Sequence, residues 1–372
     1  MREAGLRESL QAAAFFLRGR VDFRGARETI LALLGTVNVR ADTLLECLKV
    51  ANILGSLGFF SIQGYLSEKA WLWLAQQSVP NLRFPQLQAL ALSRGSLEQD
   101  RLISPWRSNR LEKIEIKKIR AYFENIEGTR ASTLSRPVPK KGPLDEAVTG
   151  QGVIVSGPSD LIEPPDDAGD FLISAVTVGN HLELRTGYPR EVDRAFMVGY
   201  MNKQTTNQVA REPAALDEFL RTRFKLIRPR RFIRKIHTPQ APLHKAEPRF
   251  ASQPFLSGFP NMVQIMVQDL LFAGAKNVWL TGIDLFASEK PYRASQLRRF
   301  PEGNEKSVGG LGGFLERCRS IAGHNPTENF LFLQRLLLAG RISADRRLQP
   351  LLAQGLQSYL RKLDELYGEE SR

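Results

Sequence analysis

Between Pro254 and Tyr292 the chain reads PFLSGFPNMVQIMVQDLLFAGAKNVWLTGIDLFASEKPY, and no other stretch narrows the fold so far. Pro260 suits the first turn of a helix, where its missing N–H has no partner to lose. Met262, Val263, Ile265, Met266, Leu270 and Leu271 follow the three-and-four spacing of one helical face, and Gly274 can supply a left-handed cap. The short apolar run from Asn277 to Thr281, closed by Gly282, is the pattern of a strand buried on both faces. A helix leading into a buried strand predicts a parallel α/β sheet. In such sheets ligands bind beyond the carboxyl ends of strands, so Asp284, placed just past the strand, faces the expected pocket together with Tyr292.

A second helix start lies downstream in AGHNPTENFLFLQRLL. Asn325 reads as N-cap, Pro326 as the first helical residue and Glu328 as the third, a capping-box arrangement with Asn as the cap. His324 therefore precedes a helix N-terminus. The positive end of the helix dipole disfavours imidazolium there, which keeps a histidine able to accept a proton, as a general base must. The same position also suits a histidine that only caps or packs.

A chain of 372 residues suggests two domains at roughly 100 to 200 residues each. With 42% hydrophobic and 24% charged residues, a sizeable core is available. The net charge of +13 favours anionic partners without choosing among a nucleotide donor, an acidic glycan, nucleic acid and an anionic membrane face. Cys47 and Cys318 lie too far apart for a disulfide framework or a metal-ligand spacing, so a reducing cytoplasm is the expected setting. The charged start MREAGLRESLQ lacks a signal-peptide pattern, and Ala51 to Tyr65 is too short to cross a bilayer. Contact with a membrane is therefore expected from its surface.

Residues 1–128 read as successive amphipathic helices separated by Gly, Asn, Pro or Ser breaks, without a repeat of fixed period. Stacked helical hairpins are the expected packing, either as a module for a protein partner or as a cap on the next domain. Residues 129–152 mix Ser, Thr, Pro, Gly and Lys and read as a linker. The α/β domain then spans residues 153–372. It opens on an apolar strand running into Ser156, Gly157, Pro158 and Ser159, a turn whose backbone N–H groups and hydroxyl can approach a phosphate or ribose. Further strands are expected at Phe171 to Val178 and Ala195 to Tyr200. Arg221 to Lys235 carries eight cations in fifteen residues, read as a solvated basic face or an interfacial patch on an anionic surface. No nucleic-acid-binding motif accompanies that charge. The C-terminal LQPLLAQGLQSYLRKLDELYGEE reads as one final helix.

In order along the chain stand a Gly-Pro-Ser turn after the first strand, a Ser-Gly loop before a helix, an apolar strand ending in Gly-Ile-Asp, and a Gly-His before a helix. Over roughly residues 153–338 this set resembles the bacterial sialyltransferases of glycosyltransferase family 42. The resemblance implies a Rossmann-like, mostly parallel sheet. It also implies inverting transfer of sialic acid or a related nonulosonic acid from a CMP-activated donor to a glycan hydroxyl, as in polysaccharide biosynthesis. His324 corresponds to the family's base, and Tyr292 to the second of two tyrosines that hydrogen-bond the departing CMP phosphate. Gly157 to Ser159 and the loop Ser257-Gly258 correspond to nucleotide contacts.

The chain departs from that pattern where Phe286 replaces the first tyrosine, with Lys290 and Arg293 as nearby substitutes. Ser156 stands near the position of the family's first asparagine, and only Asn180 could answer to the second. No Asp-x-Asp metal motif occurs, in keeping with a metal-independent transfer that needs no cofactor beyond the donor sugar. Two other readings stay open: a non-catalytic protein that keeps the transferase fold as a binding module, and a transferase using a different nucleotide sugar.

Overall fold

The computed structural model describes residues 50–51, 54–76, 142–159, 162–178, 194–201, 220, 222–229, 244–245, 261–288, 318 and 321–369. Seven strands form one sheet: β1 (Gly152–Ser156), β2 (Phe171–Thr177), β3 (Phe196–Met201), β4 (Leu226–Pro229), β5 (His244–Lys245), β6 (Asn277–Thr281) and β7 (Ile342–Ala344). Their order is β5-β4-β3-β2-β1-β6-β7, and every neighbouring pair is parallel. The α/β architecture with a parallel sheet, expected from the helix and strand around Gly274, is therefore what the chain adopts.

All five residues of the interior strand β1 are buried, because apolar layers cover both faces of the sheet. Alternation divides them. Val153 and Val155 of β1 join Val278 and Leu280 of β6 in one core, while Ile154 joins Val176 and Phe224 in the other.

Helices complete the larger core: α1 (Phe60–Gln76), α2 (Pro143–Val148), α3 (Met262–Phe272), α4 (Pro326–Leu338), α5 (Leu348–Ala353) and α6 (Leu356–Asp364). Helix α3 begins at Met262 with Asn261 as its N-cap, so Pro260, expected in its first turn, precedes it and lies outside the described residues; Gly274 has the expected left-handed φ of 94°. Its burial exceeds the single apolar face that the spacing predicts. Gln264, Gln268 and Asp269 are buried as well, because α3 lies between the sheet and α4.

Asp269 explains how a charged residue survives there. Arg228 of β4 donates two hydrogen bonds to its carboxylate, Nε to Oδ2 and Nη2 to Oδ1, each 2.7 Å, and the Tyr200 hydroxyl of β3 adds a third at 3.0 Å. Burial pulls the Arg228 guanidinium down, but Asp269 and Tyr200 outweigh that and leave its pKa raised. Arg228 belongs to the basic stretch expected at the surface, yet it is only 4% exposed. Its role there is to tie a helix to the sheet.

Two other expectations meet a different structure. Pro143–Val148, within the stretch expected as linker, is helix α2, and its Leu144 and Val148 belong to the sheet's core. The single C-terminal helix is two, α5 and α6, because Gly355 takes a left-handed φ of 84° between them. Helix α1 is also tied to the α/β core. Phe60 lies within that core, and Asp364 at the end of α6 accepts hydrogen bonds from the Ser61 N–H (3.1 Å) and the Ser61 hydroxyl. Of the other helices expected over residues 1–128, the described residues include only the end of the one expected over residues 41–54, where 50–51 and 54–56 are helical and Val50, Ala51 and Leu54 are buried; the rest lie outside the described residues. No helix among the described residues is long and apolar enough to cross a membrane.

Candidate functional site

Succession along the sheet reverses between β1 and β6. Strands β2 to β5 extend to one side of β1, and β6 and β7 to the other. In parallel sheets ligands usually bind beyond the carboxyl ends of the two strands that flank such a reversal. In register, Ser156 at the end of β1 stands opposite Thr281 at the end of β6. The two expected site turns, Ser156-Gly157-Pro158-Ser159 and Gly282-Ile283-Asp284, therefore leave the sheet side by side.

Their contact is closer than a phosphate cradle allows. The Gly157 N–H donates to Thr281 O (2.8 Å) and the Ser159 N–H to Gly282 O (2.9 Å). A Cβ on Gly157 would collide with Gly282 O and Ile283 Cγ1, so only glycine fits between these backbones. The donors expected to face a phosphate are thus engaged with the chain beyond β6. Ser156 and Ser159 are buried, and Pro158 is half-buried.

Asp284 folds back on its own turn. Its Oδ1 accepts the Phe286 N–H (3.0 Å), its Oδ2 accepts the Ser288 hydroxyl, and its carbonyl accepts the Ala287 N–H (2.8 Å). Burial raises its pKa above the ordinary value, against the lowering effects of the Ser288 and Phe286 bonds and of the positive charge on Arg347. Leu285 and Phe286 both sit in the left-handed region, with φ of 51° and 68°. Side chains with a Cβ rarely adopt it, and two in succession mark a turn that its surroundings impose.

Those surroundings come from the C-terminus. The Tyr359 hydroxyl of α6 donates to Leu285 O (2.8 Å), and the Tyr367 hydroxyl, in the π-helical turn Glu365–Glu369, donates to Phe286 O (3.0 Å). Burial, with the charge of Asp284 and with Tyr367 adding to it, holds the Tyr359 phenol well above its ordinary pKa, so it remains a donor.

The Phe286 ring stacks against the His324 imidazole, with centroids 6.3 Å apart and planes inclined by 23°. The structure thereby joins two expected site residues that are 38 positions apart in the chain (324 − 286). His324 is half-buried at the start of α4, where Asn325 caps the helix as expected but the reciprocal half of the capping box does not form, since the Asn325 N–H bonds Ala322 O (3.0 Å) and not the Glu328 carboxylate. Asn325 Oδ1 accepts the Glu328 N–H (3.2 Å), and its Nδ2 donates to Glu328 Oε1 (3.1 Å). Asn325 carries a left-handed φ of 43° to do so. Asn329 one turn on donates to the carbonyls of His324 and Asn325, and its Oδ1 accepts the Asn261 N–H at the start of α3 (3.0 Å). One buried amide thus anchors both helix starts.

Asp345, just past β7, is a participant that pattern reading missed. Its Oδ2 accepts the Gly282 N–H (2.9 Å), and its Oδ1 accepts the N–H groups of Arg347 (3.1 Å) and Leu348 (2.9 Å). It thus binds the β6 turn to the start of α5. A three-residue strand shows too little alternation to be seen in the sequence, and with β7 hidden the acid after it had no context. Tyr359 and Tyr367 were legible only as helix residues. Tyr292, Ser257 and Gly258 lie outside the described residues. No group of three or more metal-ligating side chains is gathered among the described residues. Comparison of the chain with family models, with curated proteins and with solved structures gave no significant match.

Proposed function

We propose that this chain is a glycosyltransferase of sialyltransferase-like type, transferring sialic acid or a related nonulosonic acid from a CMP-activated donor to a glycan hydroxyl. The observation that carries the reading is the placement of His324 against Phe286, on the turn that leaves β6 beside the sheet's reversal point. In the proposed step the acceptor hydroxyl gives its proton to a ring nitrogen of His324, and its oxygen attacks the anomeric carbon. The bond from that carbon to the phosphate oxygen breaks, and its electron pair leaves with CMP. No metal takes part in this scheme. Phe286 offers an apolar face and no hydroxyl, so stabilisation of the leaving phosphate falls to Tyr292 and to cations. Arg347, exposed at the start of α5 with its charge acting on Asp284, is a candidate.

The helices expected over residues 1–128 form a module for a protein partner, and the positive net charge draws in an anionic acceptor at the inner membrane face from the cytoplasm. A second reading, a non-catalytic protein that keeps the fold for binding, is favoured by one observation. The Gly157 and Ser159 N–H groups already bond the chain beyond β6, so the turn after β1 does not offer them to a phosphate.

Thermal unfolding of the purified protein with CMP, CDP, UDP, GDP and ADP separates these readings. A ligand present at about 100 times its dissociation constant adds roughly 2.7 kcal/mol to stability, a readily measured rise in midpoint. A response to CMP supports the proposal, and one to UDP or GDP changes the donor. Silence across the panel favours the binding protein. If CMP binds, His324→Gln is expected to lower transfer by about 10²- to 10⁴-fold with CMP binding retained. An unchanged transfer rate would remove His324 as the base.

A further inference from the structure

The turn Asp284-Leu285-Phe286 is bound on both sides. On its inner side the Asp284 carboxylate holds the Phe286 N–H, and on its outer side two phenols hold the next two carbonyls. Leu and Phe are poor choices for consecutive left-handed positions, since neither lacks a Cβ nor carries the short polar side chain that eases this conformation in Asn. A turn of that kind relaxes to ordinary backbone angles unless its surroundings over-determine it. The phenols are well placed to do so. The Tyr359 ring is held by stacking on Phe330 (centroids 4.7 Å apart, planes at 15°), and the Tyr367 ring by an edge contact with Phe60 (6.0 Å, 75°). The rings are fixed by packing, and the hydroxyls are what reach the turn.

We propose that Tyr359 and Tyr367 are positioning residues: by donating to Leu285 O and Phe286 O they hold the left-handed turn that sets the Phe286 ring against His324. The inference rests on the reading of His324 and Phe286 as one site. It assigns the C-terminal segment, α6 and the π-helical turn after it, a part in shaping the turn beyond strand β6. The conformation of Phe286 is then a property of a contact between segments more than seventy residues apart.

The test is the full-length chain carrying Tyr359→Phe, Tyr367→Phe and both. These changes remove the hydroxyls and leave the rings that pack on Phe330 and Phe60. The imidazole proton resonances of His324 are followed by NMR, assigned among the four histidines by their loss in His324→Gln. Phe286→Leu calibrates the readout, because it removes the ring-current contribution of Phe286 directly. With a folded amide spectrum, the double variant is expected to move the His324 resonances in the direction that Phe286→Leu moves them, each single variant moving them part of the way. If the resonances stay within the scatter of repeat spectra while thermal stability falls, the phenols only fill the core and the inference is overturned.

Failure of the transferase reading would look different. Neither the wild type nor the variants would respond to CMP, yet the resonances would still move. Where the wild type does transfer, the variants are expected to lose about ten- to a hundredfold in kcat, the order expected for a catalytic group misplaced by about an ångström, with nucleotide affinity retained. A loss confined to nucleotide affinity, with kcat kept, would count against positioning.

Discussion

Asp284 accepts two hydrogen bonds from its own turn, and burial has raised its pKa all the same. Desolvation therefore outweighs both bonds and the favourable charge of Arg347. A group whose folded pKa lies above its unfolded one binds its proton more tightly when folded. Its contribution to stability is complete below the ordinary value of 3.8 and is lost as pH rises through the higher folded value. Asp284→Asn keeps an acceptor for the Phe286 N–H and offers an amide to the Ser288 hydroxyl, without the buried charge. The variant should gain stability relative to the wild type as pH rises from acid toward neutral, as read from denaturant midpoints across that range. Parallel pH profiles for the two proteins would show that the carboxyl is not desolvated. The sequence placed this acid correctly at the end of a strand, since a Gly after a short apolar run marks where a buried strand stops. That it turns inward, and that Tyr359 lies over the next carbonyl, follows from contacts between distant segments, which local patterns do not encode.

Among the elements, α4 carries the site histidine and owes its start to one residue. Asn325 caps the helix, exchanges a second bond with Glu328 and tolerates a φ of 43°. Asn325→Ala loses the cap and leaves a Cβ without a polar group in a left-handed conformation, so a loss of about 2 kcal/mol is expected. Asn325→Gly relaxes the backbone and should cost well under 1 kcal/mol. Urea unfolding of the two variants checks the ordering, and equal losses would mean that side-chain contacts other than the cap dominate. This start was legible because Asn-Pro-x-Glu is a local signal with a local cause. The tie from Asn329 across to Asn261 was not, because it joins two helix starts 68 residues apart.

For the whole molecule, the buried trio of Arg228, Asp269 and Tyr200 joins β4 and β3 to α3. Removing one partner leaves the other charge buried and uncompensated, so Arg228→Met should cost about 3–5 kcal/mol. Replacing all three at once, Arg228→Met with Asp269→Leu and Tyr200→Phe, should recover most of that loss, because an apolar set of similar volume carries no desolvation penalty. Chemical denaturation decides the matter. A combined variant no more stable than the single one would indicate that the trio supplies more than mutual compensation. In the sequence Arg228 looked like one of eight cations on a basic face, since nothing local separates it from its neighbours. What sets it apart is that Asp269 faces it from the helix packed across the sheet.

The order of apolar runs, glycines and caps determined by itself that this chain forms parallel strands with helices between them, where β1 and β6 end, and where α4 begins. Those features rest on backbone angles and on alternation within a few residues, and both are written locally. Only the tertiary structure decided that β1 and β6 are neighbours, that the turn after β1 bonds the chain beyond β6, and that Phe286 lies against His324 under the hold of two C-terminal tyrosines. These depend on strand order and on burial between segments far apart in the chain, where the free energy belongs to the packed arrangement as a whole.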